Sequence, residues 1–103
     1  MNTVGFDWDD INFDEAKTRF HEIQDKEDDD FYYFLYETKH GYHLILVFPC
    51  EITSEENIKL RKKYWDDPQR IKVGISRFKT TGRIQDLDVL FTRKNGHIRR
   101  MIL

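Results

Sequence analysis

Two apolar runs separated by one short turn constrain this chain more than any other feature. Phe31 to Glu37 is aromatic or apolar at every position but the last, Tyr42 to Phe48 is a second such run, and only Thr38-Lys39-His40-Gly41 lies between them. Runs of that length, bounded by turn residues, read as strands, and a connection so short forces them to pair antiparallel. Gly41 offers a positive φ for the turn, and Pro49 closes the second strand. The near-continuous apolarity of Phe31 to Glu37 implies a strand covered on both faces or one that carries an aromatic platform. The hairpin therefore belongs inside a larger sheet.

The flanking segments supply that sheet. Thr3 to Trp8 alternates, with Val4, Phe6 and Trp8 on one side and Gly5, Asp7 and Asp9 on the other, which predicts a first strand. Asn12 with Glu15 predicts a capped helix start, and Phe13, Ala16, Phe20 and Ile23 recur at helical spacing through about Gln24. Asp25 to Asp30 reads as an acidic loop. A second capping box, Thr53 with Glu56, predicts a helix through about Tyr64 that stops before Asp66-Asp67-Pro68.

Beyond it, Arg70 to Phe78 alternates Ile71, Val73 and Ile75 with Lys72, Gly74 and Ser76, which predicts a half-buried strand. Thr80 to Asp86 reads as a loop. Leu87 to Thr92 and His97 to Leu103, joined by Arg93-Lys94-Asn95-Gly96, read as a C-terminal hairpin with a type I′ turn. The order is βαββαβ plus one hairpin. It predicts one α+β domain over residues 1–103, with a ferredoxin-like or RNA-recognition-like sheet and two helices on one face. That topology places the first and third strands side by side in the centre of the sheet, so Asp7 and Asp9 come close to His43.

Composition narrows the function classes. No run of about 18 apolar residues and no basic, apolar, small-residue leader is visible, so a cytoplasmic protein without membrane contact is expected. Cys50 stands alone, which excludes an internal disulfide and a cysteine metal site and suggests a buried structural thiol. The net charge of −2 hides a split. Residues 1–30 carry eleven Asp/Glu against three Lys/Arg, and the remainder carries eight against fourteen. Such asymmetry points to a polyanion partner for the basic part, or to two halves that attract one another.

Asp7 and Asp9, spaced Asp-x-Asp at a strand end, can share a hard divalent cation such as Mg²⁺ or Mn²⁺, with His43 beside them to meet a phosphate. The same acids also suit the approach to a helix N-terminus, where the dipole favours negative charge. Lys72, Arg77, Lys79 and Arg83, with Lys39 and His40 at the hairpin tip, could steer a polyanion. Tyr42, Trp8, Tyr32 and Tyr36 could stack bases, the combination that single-strand binding uses. There is no Gly-rich phosphate loop and no Ser-His-Asp or Cys-His set.

The segments V-G-F-D-W-D, Y-E-T-K-H-G-Y-H-L-I-L and D-D-P-Q-R-I-K-V-G-I-S-R, taken with V-L-F-T-R-K, together resemble the archaeo-eukaryotic primase and primase-polymerase superfamily. The resemblance implies that Asp7 and Asp9 are the metal-binding pair and that His43, in Gly41-Tyr42-His43, contacts nucleotide. The family's third motif, a hydrophobic residue followed by Asp, would fall on Val73-Gly74, where glycine replaces the acid. What this implies is a minimal, catalytically degenerate primase-like protein of a virus or plasmid that binds nucleotide or single-stranded DNA. Two alternatives stand beside it. One is an active metal-dependent nucleotidyltransferase; the other is an interaction module whose acidic N-terminal face engages a replication protein. A homodimer through an exposed C-terminal edge strand is compatible with all three.

Overall fold

The computed structural model describes residues 1–27, 30–90, 93–94, 97–98 and 100–102. Its elements are β1 (Thr3–Asp9), α1 (Phe13–Lys26), β2 (Tyr32–Glu37), β3 (Gly41–Val47), α2 (Ser54–Lys63) and α3 (Pro68–Thr81). A 3₁₀ turn at Ile84–Asp86 follows, then β4 (Arg93–Lys94), β5 (His97–Ile98) and β6 (Arg100–Met101). The fold is α+β, compatible with a small ferredoxin-like arrangement, around a four-stranded antiparallel sheet of order β1-β3-β2-β6. Among the described residues, no helix is long and apolar enough to cross a membrane.

The expected hairpin is present, with Leu35 opposite Leu44 and Tyr36 opposite His43. Gly41 is needed for a reason other than its φ: a Cβ there would run into the carbonyl oxygen of Trp8 on the neighbouring strand. On β1 the register sets Phe6 against Leu44, Asp7 against His43 and Asp9 against Gly41. Period-2 alternation then divides the sheet. Val4, Phe6, Trp8, Leu35, Tyr42, Leu44 and Leu46 form the core face, where α1 adds Ala16, Phe20 and Ile23, and α2 is followed by Tyr64. Each large side chain buried there is worth about 1.5–3 kcal/mol. The opposite face is covered around Gly5 and His43, both buried, with Leu90 over Gly5; it is half-open at Asp7 and Tyr36 and open at Asp9, Phe34 and Tyr32.

Both predicted helix starts are present. Asn12 accepts a hydrogen bond from the Glu15 amide, and Thr53 with Glu56 forms the full capping box. α1 continues two residues past Gln24 to Lys26, held by Lys26 on Glu22 and by the Glu27 amide on Ile23. Residues 28 and 29 of the expected acidic loop lie outside the described residues.

The strand expected over Arg70 to Phe78 is instead the middle of helix α3. Asp67 caps it by accepting from the Gln69 amide at 2.9 Å, Pro68 opens it, and Gly82 closes it in the left-handed region at φ 72°. Ile71 and Gly74 face inward, and Gly74 lets the helix approach the backbone of Leu87, where a Cβ would collide with the Leu87 carbonyl. The C-terminal segment also departs from expectation. β4 and β5 pair with each other through Arg93 opposite Ile98 and Lys94 opposite His97. β6 joins the sheet beside β2. The expected Asn95-Gly96 turn and the residues Phe91 and Thr92 fall outside the described residues. Cys50 is exposed rather than buried.

Because α2 is followed directly by helix α3 and not by a strand, β1 lies at the edge of the described sheet and not in its centre. Its outward backbone groups are met by side chains instead. The Gly5 amide donates to Asp88 Oδ2 at 2.7 Å, the Asp7 amide donates to Asp66 Oδ1 at 2.8 Å, and the Gly5 carbonyl accepts from Arg70. Asn57 reaches the Thr3 carbonyl at 3.4 Å and Asp88 at 2.9 Å. Arg61, fully buried, binds Asp66, Asn57 and the Leu87 carbonyl, while Arg70 bridges Asp66 and Asp88. A buried ionic network thus stands where a neighbouring strand would lie, and it satisfies an edge that would otherwise invite pairing.

Candidate functional site

This second sheet face is crossed by a row of three side chains from three strands. Asp7 on β1 lies opposite His43 on β3, which lies opposite Tyr36 on β2. His43 is buried, and its Nε2 stands 3.4 Å from Asp7 Oδ1. Burial alone pushes the Asp7 carboxyl up. Hydrogen bonding and charge from His43, with the Arg70 guanidinium behind, outweigh that and hold it below the ordinary aspartate value. Asp7 is therefore a carboxylate throughout the neutral range.

β1 ends at Asp9, and there the linker between α2 and α3 comes alongside. Because the Asp7 amide is bound by Asp66, the next residue, Asp67, is set against the strand end. Carboxylate oxygens of Asp7, Asp9 and Asp67 all lie within 4.8 Å of one another. They line a pocket of about 310 Å³ together with Trp8, Arg19 and Trp65. Three hard oxygen donors at this spacing are the ligand type that Mg²⁺ and Mn²⁺ take. The Arg19 guanidinium lies 5.6 Å from the ring centroid of Trp8 and 5.3 Å from that of Trp65, so its charge is held over indole faces at the pocket wall.

The remaining candidates are dispersed. Lys39 and His40 are exposed at the hairpin tip, next to the acids, where the His40 carbonyl accepts from the Asp10 amide at 2.7 Å. Tyr42 and Trp8 belong to the core: Tyr42 packs against Phe13, and the Trp8 indole donates to the Tyr64 carbonyl. Neither ring lies on the partly open face. Tyr32, 78% exposed, does lie there. Phe34, not singled out in the sequence, is exposed on the same face, and so is Met101, which lies opposite Tyr36. Lys72, Arg77 and Lys79 are exposed on α3, and Arg83 follows it, paired with Asp86 at 3.1 Å. None of the four lines the acid pocket.

Val73-Gly74, where the resemblance puts the third motif, lies on helix α3, and Gly74 packs on Leu87 and not beside the acids. The carboxylate that does join Asp7 and Asp9 is Asp67. Its signal was available in Asp67-Pro68, a cap residue followed by a proline suited to a first helical turn.

What the fold and the site define is a small α+β protein with a partly open sheet face that ends in an acidic, indole-walled pocket. Comparison with protein-family models, curated proteins and solved structures returns no match.

Proposed function

We propose that this protein binds the phosphate of a nucleotide, or of a single-stranded nucleic-acid end, through a divalent cation held by Asp7, Asp9 and Asp67. The observation that carries this reading is the convergence of three carboxylates from two separate segments on one pocket beside the partly open sheet face. A bound Mg²⁺ or Mn²⁺ would neutralise part of their charge and leave coordination positions for phosphate oxygens. His43 would orient Asp7, and the exposed Tyr32 and Phe34 would offer the open part of the face to unstacked bases.

The test is calorimetric titration of Mn²⁺ into the full chain, followed by inorganic triphosphate with and without the metal. Mn²⁺ binding is expected in the parent and is expected to weaken at least tenfold in Asp67→Asn, which keeps a helix cap but removes a charge. Triphosphate binding is expected only with metal present. Metal affinity equal in parent and variant would defeat the reading.

A second reading, metal-dependent nucleotidyl transfer as in the primase-polymerases, is favoured by Asp67 in particular. A site lacking a third acid would be short of a ligand for a two-metal clamp, and Asp67 supplies one. It predicts Mn²⁺-dependent nucleotide incorporation on a primed template that disappears in Asp7→Asn. Equal, background-level incorporation by both proteins would leave binding as the function.

A further inference from the structure

Helix α2 ends in a way that sequence rules do not favour. The Asp66 amide donates to the Arg61 carbonyl at 3.0 Å, the six-to-one bond of a Schellman motif. The residue that must then turn left-handed is Trp65, at φ 63°. Glycine is the usual occupant of that position, because any Cβ there is strained and a bulky side chain more so. Its indole is not held in the core, being 44% exposed. Its ring contacts are the Arg19 guanidinium on the pocket wall and the edge of Tyr64.

A bulky residue half-open to solvent and lining a pocket with three carboxylates stands here in a backbone conformation that glycine would adopt without strain. We infer that Trp65 is the platform on which a nucleobase stacks while the attached phosphates meet the cation on Asp7, Asp9 and Asp67. The inference rests on the cation-phosphate reading above and adds to it the base as the recognised group. An indole beside carboxylates also suits an organic cation. Here, however, a guanidinium already lies against the indole, so a second cation would be brought beside a like charge, whereas a neutral base would not.

The experiment compares the full-length parent with Trp65→Gly and Trp65→Phe, in Mg²⁺, using inorganic triphosphate, ATP and spermidine as probes. In the parent, ATP is expected to bind about tenfold more tightly than triphosphate, the scale of one base stacked on an aromatic ring. Trp65→Gly should erase that preference, so that the variant binds ATP no more tightly than it binds triphosphate. Trp65→Phe should retain most of the preference.

Triphosphate binding without any preference for ATP in the parent would overturn the stacking inference and leave the cation-phosphate reading standing. An ATP preference that survives in Trp65→Gly would do the same. Failure of the parent to bind either phosphate compound would overturn both. Spermidine binding that is lost in Trp65→Gly, with no ATP binding, would reassign the pocket to organic cations.

Discussion

The backbone amide of Asp7 donates to Oδ1 of Asp66 at 2.8 Å, and this one bond ties the fold to the site. Asp66 has no exposed side-chain surface and simultaneously holds Arg61 and Arg70. Its neighbour Asp67 is thereby delivered to the end of β1. Edge protection of β1 and assembly of the carboxylate cluster are consequences of the same linker.

Asp66→Ala should therefore be among the most damaging single changes in the chain. It leaves the Arg61 guanidinium buried without its carboxylate, a loss of about 3–5 kcal/mol, a large share of the stability of a small domain. Urea denaturation measures it. Asp67→Asn, one residue along, should stay within about 0.5 kcal/mol because the residue is partly exposed and its cap survives. A loss of less than about 1 kcal/mol for Asp66→Ala would remove the network from its structural role.

Gly74→Ala should destabilise, against the ordinary rule for helices. In an exposed helix interior the change is worth about 1 kcal/mol in the favourable direction. Here the added Cβ meets the Leu87 carbonyl, a backbone atom that cannot rotate away, so a net loss of about 1–3 kcal/mol is expected. Thermal melts of the parent and variant decide the sign.

That glycine also explains what the sequence made legible and what it concealed. Ile71, Val73 and Ile75 alternate like a strand, but Ile71, Gly74, Ile75 and Phe78 fit a helix equally well. Asp67-Pro68 before them and Gly82 after them were the cues that distinguish the two. Local signals sufficed for the Asn12 and Thr53 caps and for the pairing of β2 with β3. That β1 and β3 are neighbours, which brings Asp7 to His43, followed from the α+β topology; the register itself did not. The Arg61–Asp66–Arg70–Asp88 network had no local signature, since its members meet β1 only after the chain has folded. Asp67-Pro68 marked a helix cap, but that Asp67 joins Asp7 and Asp9 had no local sign, because those partners lie on a strand near the other end of the chain.

The pH dependence of stability should carry the mark of Asp7. Its pKa is lower in the fold than in the unfolded chain, because His43 and Arg70 favour the charged form over the opposing effect of burial. The associated stabilisation is present above the unfolded value of about 3.9 and is lost as pH falls through the lower folded value. In EDTA, Asp7→Asn should thus be less stable than the parent at pH 7 by about 1 kcal/mol, the scale of one charge-assisted contact at a partly exposed site. The difference should shrink as the pH drops below that range. Urea midpoints for both proteins at neutral and acid pH give the comparison, and a gap that stays constant would show that the Asp7 charge is not what stabilises.

Tyr32→Ser separates the two faces of the sheet. Tyr32 leaves the core unperturbed because 78% of its surface is already in water, so the melting temperature should scarcely move. Leu35, three residues along the same strand but on the core face and 1% exposed, gives the contrast: Leu35→Ala should cost about 2–5 kcal/mol. If the open part of this face receives unstacked bases, Tyr32→Ser should weaken binding of a short single-stranded oligonucleotide in Mg²⁺ by about tenfold, the worth of one stacked ring. Mn²⁺ affinity should be unchanged, because no ligand of the acid pocket is touched. Loss of oligonucleotide affinity with metal binding intact would make the sheet face and the acid pocket two parts of one binding surface. Unchanged affinity in this variant would confine recognition to the pocket.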